Sequence, residues 1–294
     1  MRYEGDIYRP PGEWRSYLLQ ATIGCSNNKC TFCNMYKDKK FRIRPLQEVL
    51  QDIQMYKMFH GESPERVFIC DGDAIVLPQD YWENLLTFLY SSFDKLERVT
   101  TYAGPRSTLL KTPEQLKKLH EMGLYRAYLG VETGSDRLLK AINKGCDRAT
   151  MLQAGQRLRE AGIDLWCTVL VGLDGTGKAS EENSIETAKL INEMKPQHIS
   201  AMTLTPMMGT PIYDDVQAGR FKVLDVEQAL LETRMLIENI ELEDLHFTSN
   251  HVSNHLPLKG TLSRDRDRLI KQINTAIEEG TGVRTNRDYH PRQL

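Results

Sequence analysis

Short apolar runs recur along this chain, each followed by an amphipathic stretch, and that alternation limits the fold more than any composition figure. The runs are "YLLQATIG" (17–24), "RVFICDG" (66–72), "ERVTTYAG" (97–104), "YRAYLGVE" (125–132), "IDLWCTVLVG" (163–172) and "HISAMTLTP" (198–206). Each has strand length and is apolar enough for burial on both faces, as in a parallel sheet covered by helices. Between them, "PLQEVLQDIQMYKMFHG" (45–61) has proline at its start and glycine at its end. "TPEQLKKLHEMG" offers Thr112 as N-cap, Pro113 at the first helical position and Gly123 as terminator. Six strands joined by helices predict an α/β fold with right-handed crossovers. Periodicity leaves both a barrel and an open doubly wound sheet available. After about residue 220 the pattern turns helical, with "DVEQALLETRMLIENI" and "RDRDRLIKQINTAIEEG". Residues 1–220 are therefore read as the sheet-bearing unit and 221–294 as an extension packed on it.

Bulk properties exclude several classes. The 294 residues carry a formal net charge of -2, which gives no electrostatic case for nucleic acid as the main partner. The longest apolar run, "LWCTVLVGL", is far too short to span a bilayer, and "MRYEGDIYRPPGEW" contains no apolar secretion core. A cytoplasmic protein is expected, with no membrane partner. There the six cysteines should be reduced thiols, and a tight group of them points to metal or redox chemistry.

Catalytic groups in such a fold belong in loops at the carboxyl ends of the strands. "GCSNNKCTFCNMY" follows the first run and places Cys25, Cys30 and Cys33 in a C-x4-C-x2-C pattern. "DGDAIVLP", "ETGSD" and "GLDGTGK" follow later strands, so polar and glycine-rich pieces gather at one end. "GLDGTGK" is not a phosphate loop, since Lys178 is followed by Ala179. Three thiolates suit a soft metal or an iron–sulfur centre. The alternative is structural zinc, which needs four ligands, and no further Cys or His lies in this loop. Three ligands leave one coordination position open.

With that ordered set, the chain resembles the radical S-adenosylmethionine (SAM) superfamily, over roughly residues 15–220. The resemblance extends to the elongator-like, methylthiotransferase and oxygen-independent coproporphyrinogen-oxidase branches. The resemblance implies a partial (β/α)6 TIM-type barrel with a helical C-terminal extension. It implies that Cys25, Cys30 and Cys33 hold three irons of a [4Fe–4S] cluster while SAM chelates the fourth. Reductive cleavage of SAM would then yield a 5′-deoxyadenosyl radical that abstracts hydrogen from a substrate, an oxidoreductase-type reaction. The first gap is one residue longer than the commonest family spacing. Phe32 matches a position whose backbone approaches the adenine. "DGDAIV" sits where the family binds the SAM amino group; Asp71 replaces the first glycine, leaving Gly72, Asp73 and backbone carbonyls for that role. "YLGVETGSDRLLKAINKG" carries over Glu132 as cofactor-facing, with Lys144 where an arginine usually meets the SAM carboxylate. "TVLVGLDGT" implicates Thr168 and Gly172 beside the ribose and adenine, and "LTPMMGTPIYDDVQAGRF" places Met202 or Leu204 near the adenine.

Other residues carry weaker signals. Cys70 and Cys167 lie in predicted strands and read as core. Cys146, in "NKGCD", is a candidate hydrogen donor to a product radical. "HFTSNHVSNHLPLKGTL" (246–262) reads as a loop closing over the barrel, with His246, His251 and His255 as candidate substrate or metal contacts. "RDRDRLIKQ" and the end "GVRTNRDYHPRQL" are locally basic, which a solvated helix face explains for the first. No segment suggests a cobalamin domain, an RNA-binding domain or a second cysteine cluster. A small-molecule or tetrapyrrole-like substrate is therefore expected, with an electron donor such as flavodoxin or ferredoxin. RNA modification is the alternative reaction, and a non-enzymatic zinc scaffold the alternative class.

Overall fold

The computed structural model of the chain describes residues 2–283, so the basic terminus lies outside the described residues from 284 onward. The run expected as one strand over 17–24 is two: β1 (Tyr17–Gln20) and β2 (Thr22–Ile23). β2 leaves the main sheet and pairs antiparallel with β3 (Arg42–Ile43), so a small ribbon closes the base of the cysteine loop. Helix α1 (Leu46–His60) then ends at Gly61, whose φ of +67° lets its N–H turn back to the Lys57 carbonyl. β4 (Arg66–Cys70), α2 (Gln79–Ser92), β5 (Arg98–Ala103) and the short α3 (Pro105–Leu109) follow. Helix α4 (Pro113–Glu121) begins at the expected Thr112 cap, where Thr112 and Gln115 exchange bonds in a capping box that contributes about 1 kcal/mol.

β6 (Leu124–Glu132), α5 (Asp136–Ala141), α6 (Arg148–Glu160), β7 (Asp164–Val171), α7 (Lys178–Met194) and β8 (His198–Thr203) continue the alternation. Beyond them come α8 (Pro211–Gln217), α9 (Val226–Asn239), β9 (His246–Thr248), β10 (Lys259–Thr261) and α10 (Leu262–Glu279). Among the described residues the main sheet has eight strands, in the order β1-β4-β5-β6-β7-β8-β9-β10. All neighbours are parallel through β9, and only β10 runs antiparallel. β1 and β10 are edges, so the sheet stays open. This is the parallel α/β architecture expected, with one parallel strand more than the six foreseen. That strand, β9, comes from the His/Asn-rich segment expected to be a loop. His246 N–H donates to the Gln197 carbonyl at 3.0 Å, and His198 and His246 are register partners. Only three residues long, with Phe247 its buried anchor, β9 carries no periodicity to read.

The sheet's two faces hold separate cores. Val67, Ile69, Ala127, Leu129, Val169 and Ile199 face the helices and join the main core. The opposite, inner face carries Phe68, Cys70 and Tyr128 in their own cluster, flanked by Ile7, Leu18, Tyr102 and Trp166. Ile7 arrives because the N-terminal segment runs along β1 and over this face. Glu4 and Gln20 exchange hydrogen bonds at 2.9 and 3.2 Å. Further on, Glu13 is fully buried, accepting from the Tyr128 hydroxyl and from Ser16 Oγ, both at 2.5 Å. The segment after 220 shares the sheet through β9 and β10, while α9 packs on α7 and α10 on α9. No described helix is long and apolar enough to cross a membrane.

Asn254 fastens the far end of β8. Its Oδ1 accepts from Thr203 N–H at 2.9 Å and from Thr203 Oγ1 at 3.0 Å, and its Nδ2 donates to the Ala201 carbonyl at 2.9 Å. Asn254→Ala leaves these buried groups without partners and should cost about 2–3 kcal/mol. Urea denaturation would show this as a lower midpoint, and an unchanged midpoint would mean water already reaches the strand end.

Candidate functional site

The loop between β2 and β3 has almost no regular structure, so side chains hold its shape. Gly24 N–H, Gln20 Nε2 and Lys39 Nζ all donate to Asp71 Oδ2, at 2.9, 3.0 and 3.0 Å. The Lys39 and Asp71 side chains are 4% and 0% exposed, so this ion pair is shielded from water. Burial pushes the Asp71 carboxyl pKa up, and the bonds from Gly24, Lys39 and Gln20 pull against it. Asp73 is likewise enclosed: Gly104 N–H donates to Oδ1 at 2.7 Å, while Ser107 Oγ at 2.5 Å and Ser26 Oγ donate to Oδ2. Asp73, expected with backbone carbonyls as an acceptor for a cofactor amino group, and Asp71, which replaces the first glycine of that motif, both accept hydrogen bonds from the chain itself. Between them Gly72 lies directly on the thiol loop. A Cβ there would fall 2.9 Å from Cys25 Cβ and 2.7 Å from the Tyr36 ring, and its N–H donates to the Gly24 carbonyl at 3.1 Å. No other residue fits.

Cys25, Cys30 and Cys33 are half-buried free thiols at the carboxyl end of the sheet. Backbone N–H groups of Asn28 and Asn27 point at Cys25, that of Met35 points at Cys33, and Asn27 Nδ2 donates to Cys30 Sγ at 3.3 Å. Burial lifts the Cys33 pKa to about 11, the Met35 N–H opposes it, and Cys30 and Cys25 add to the rise. The three sulfurs therefore share one environment. N–H donors around sulfur are the surroundings that stabilise and tune an iron–sulfur cluster. A single-ion zinc site fits less well: among the described residues no three or more His, Cys, Asp or Glu side chains, the three cysteines included, are grouped so as to hold one metal ion. The donor set fits a cluster held by three thiolates.

The end of β6 forms the adjoining wall. Glu132, at φ +63°, pairs with Lys144 at 2.7 Å, and their side chains are 9% and 12% exposed. Burial opposes the Lys144 charge, but Glu132, with Cys30 beyond it, outweighs that and raises the pKa. A Cβ on Gly130 would strike Glu132 Oε1 at 2.4 Å, so glycine leaves room for the pair. The turn after α5 reaches the thiol loop twice: Thr31 N–H donates to the Ile142 carbonyl at 3.0 Å and Asn27 Nδ2 to that of Asn143 at 3.0 Å. Cys146, half-buried beside this turn, has its pKa pushed to about 11 by burial, against the pull of Lys144.

Phe32, Met202 and Leu204, far apart in sequence, meet in one apolar cluster with Ile142, Leu170 and Ile212. Thr168 is half-buried on β7, two residues before Leu170. Gly172 has another partner: at φ +83° its N–H donates at 3.0 Å to Glu232 of α9, which also accepts from Ser180 Oγ. Cys70 and Cys167 are fully buried in strands. The histidines do not form a lid. His255 is buried in the helix layer with Thr203, Leu230 and Thr233; His251 Nδ1 lies 2.8 Å from Ser253 Oγ; His246 opens β9 and meets the His198 ring edge-on at 5.4 Å. Sequence reasoning missed Lys39, Asn27 and Tyr36. Their roles depend on distant partners, and "YKDKK" reads as an ordinary solvated charge run.

The family model for the radical SAM superfamily matches residues 19–188, more than half of the chain. A tRNA-2-methylthio-N(6)-dimethylallyladenosine synthase of Thermobifida fusca (strain YX) is 26% identical over 291 residues, covering 90% of this chain and 55% of that protein. The anaerobic magnesium-protoporphyrin IX monomethyl ester cyclase of Cereibacter sphaeroides is 23% identical, covering 96% of this chain and 46% of that protein. The chain spans about half the length of these curated relatives. Among solved structures, coproporphyrinogen III oxidase from Escherichia coli superposes with a TM-score of 0.56 at 14% identity, over 91% of this chain and 70% of that one. Methylornithine synthase gives 0.53 at 18% identity, over 92% and 83%. At these identities the structural likenesses speak for the fold alone.

Glu232 gives a test of how α9 holds the loop after β7. Burial raises its pKa from 4.5 to about 7, against the bonds from Ser180 and Gly172. The folded protein therefore keeps a proton that the unfolded chain releases, and stability falls as pH climbs between those values. From about pH 5 to about pH 8 the protein should lose roughly 2–3 kcal/mol from this group. Glu232→Gln accepts the same Gly172 N–H without ionising and should remove that loss. Chemical denaturation across this range checks it, and parallel curves for the two proteins would refute the assignment.

Proposed function

The chain belongs to the radical SAM superfamily, enzymes that work with a [4Fe–4S] cluster and S-adenosylmethionine, and we propose that it uses them to abstract hydrogen from a small, flat, largely apolar substrate held against the inner face of the sheet. The observation that carries this reading is the set of three half-buried thiols, Cys25, Cys30 and Cys33, sharing one environment lined by N–H donors. Cys25, Cys30 and Cys33 would hold three irons, leaving one for SAM. When bound, the pair supplies a carbon-centred radical by one-electron reductive cleavage of the sulfonium.

The protein's own residues position and shield. Gly72 lets the chain lie flat against Cys25, so a ligand on the cluster can approach the backbone closely. The cluster of Phe32, Met202 and Leu204 offers an apolar surface for an adenine and keeps water from it. The Glu132–Lys144 pair is the charged group of this wall, and its carboxylate and ammonium are the polar handles for the amino-acid part of SAM. The Asp71–Lys39 and Asp73–Ser26 links hold the thiol loop in register with the sheet.

For the substrate, the inner face presents Leu18, Tyr102, Trp166, Thr168 and Met202, all half-buried, with the N-terminal segment that runs over this face as the facing wall. Aromatic and apolar walls with few charges suit a planar organic molecule or tetrapyrrole-like ring. The segment after 220 is proposed as an extension packed on the sheet-bearing unit, which widens the inner face through β9. The reductant would be a small electron-transfer protein such as flavodoxin or ferredoxin. RNA modification is the second reading, supported by the likeness to the tRNA methylthio synthase.

Protein reconstituted anaerobically with iron and sulfide should bind both, show broad absorbance near about 400 nm, and release 5′-deoxyadenosine from SAM on reduction. Cys25→Ala, Cys30→Ala and Cys33→Ala should each reduce that release to background while circular dichroism stays unchanged. A colourless protein that retains zinc and never cleaves SAM would overturn the reading. Deuterium transfer from candidate substrates into deoxyadenosine would separate tetrapyrrole from RNA.

A further inference from the structure

We propose that the amino-terminal end of the sheet's inner face binds a small oxyanion, a phosphate or carboxylate group, clamped by Arg66 and Arg98. Arg66 opens β4, Arg98 opens β5, and the two are direct register partners in the parallel ladder. Strand alternation puts them on the face of Phe68 and Tyr102, whose rings meet edge-on at 5.0 Å. Both side chains are half-buried. Their Nε atoms are buried without a hydrogen-bond partner, and among the described residues neither forms an ion pair. Glu65 and Glu97, exposed and immediately before the two strands, do not reach them.

A third group points the same way. Thr100 is fully buried, two residues beyond Arg98 on the same face, and its Oγ1 has no partner. Beside it Arg126 pairs with Asp164 at 2.5 Å, and Asp164 Oδ1 lies 3.5 Å from His198 Nε2. The carboxylate of this rim is thus already shared by the Arg126 guanidinium and the His198 ring. Tyr125, skipped by the register shift between β5 and β6, lies under both Arg98 and Arg126, at 5.7 and 5.5 Å.

Like charges side by side on neighbouring strands repel, and buried N–H groups without acceptors are costly. One anion relieves both penalties. The two side chains spring from backbones about 4.8 Å apart, so a single tetrahedral or planar oxyanion can accept from both forks. This rim lies at the strand ends opposite the thiols, so its occupancy does not depend on the cluster.

Isothermal titration of the full chain at fixed ionic strength tests the site, with inorganic phosphate, adenosine 5′-monophosphate and succinate as titrants. Saturable one-to-one binding is expected, weakened about tenfold or more by Arg66→Gln or Arg98→Gln. Arg98→Lys keeps the charge but not the fork and should fall between. Arg159→Gln, on the exposed face of α6, should bind as the unaltered protein does. Tighter binding of the nucleotide assigns a phosphate monoester, equal binding free phosphate, and preference for succinate a carboxylate. Should a glutamine variant fail to fold by circular dichroism, Arg66→Lys and Arg98→Lys make the same comparison. Absence of saturable heat with every titrant, or undiminished binding in the arginine variants, overturns the proposal.

Discussion

Asp71 stands at the carboxyl end of β4 with its side chain closed off from water, and the cysteine loop is built on it. Gly24 N–H, the Gln20 amide and the Lys39 ammonium converge on one of its oxygens. A buried ion pair of this kind adds little net stability over an apolar substitute, yet losing one partner costs about 3–5 kcal/mol. Its value here is geometric. Residues 24–41 include almost no ladder or helix hydrogen bonds, so the positions of three sulfurs follow from a few side-chain anchors. Asn28 Nδ2 to the Tyr36 carbonyl at 2.6 Å, Ser26 to Asp73, and Asn27 to the Asn143 carbonyl complete the set.

The two ends of the sheet differ in chemistry. At the carboxyl end, thiols, a glycine and two largely buried ion pairs, Asp71–Lys39 and Glu132–Lys144, stand among N–H donors. At the amino end, Arg126 and His198 meet Asp164, and Arg66 and Arg98 stand on the neighbouring strands. Between them a ladder of rings crosses the inner face: Tyr102 to Tyr128 at 6.1 Å, Tyr128 to Trp166 at 5.5 Å, and Trp166 stacked on His198 at 4.7 Å. The N-terminal segment lies over this ladder and buries Glu13 against Tyr128. The inner face is thereby separated from the helix-side core, which carries the bulk of the apolar burial.

Long strands with apolar runs were readable from the chain, as were the α1 stop at Gly61 and the Thr112 cap, because each rests on neighbours in sequence. β9 was not, since three residues gain strand form only by pairing with β8. The histidine segment looked like a lid because Ser, Asn and His resemble loop chemistry. Asn254 instead substitutes for a strand partner of β8, and His255 is enclosed under α9. Gly172 seemed a ligand-side residue, and its N–H is bound by Glu232, a residue that helical periodicity alone gives no reason to single out.

What the sequence by itself determined is the parallel α/β alternation and a donor set of three closely spaced sulfurs, one short of a closed tetrahedral site. Both are local properties, readable from the spacing of residue types along the backbone. Only the tertiary structure decided which charges are taken up by the protein: Asp71 by Lys39, Glu132 by Lys144, Asp164 by Arg126, with Arg66 and Arg98 left facing each other. Partners in a parallel sheet are separated by whole helices, so the pairing of charges depends on register and packing, which no window of sequence contains.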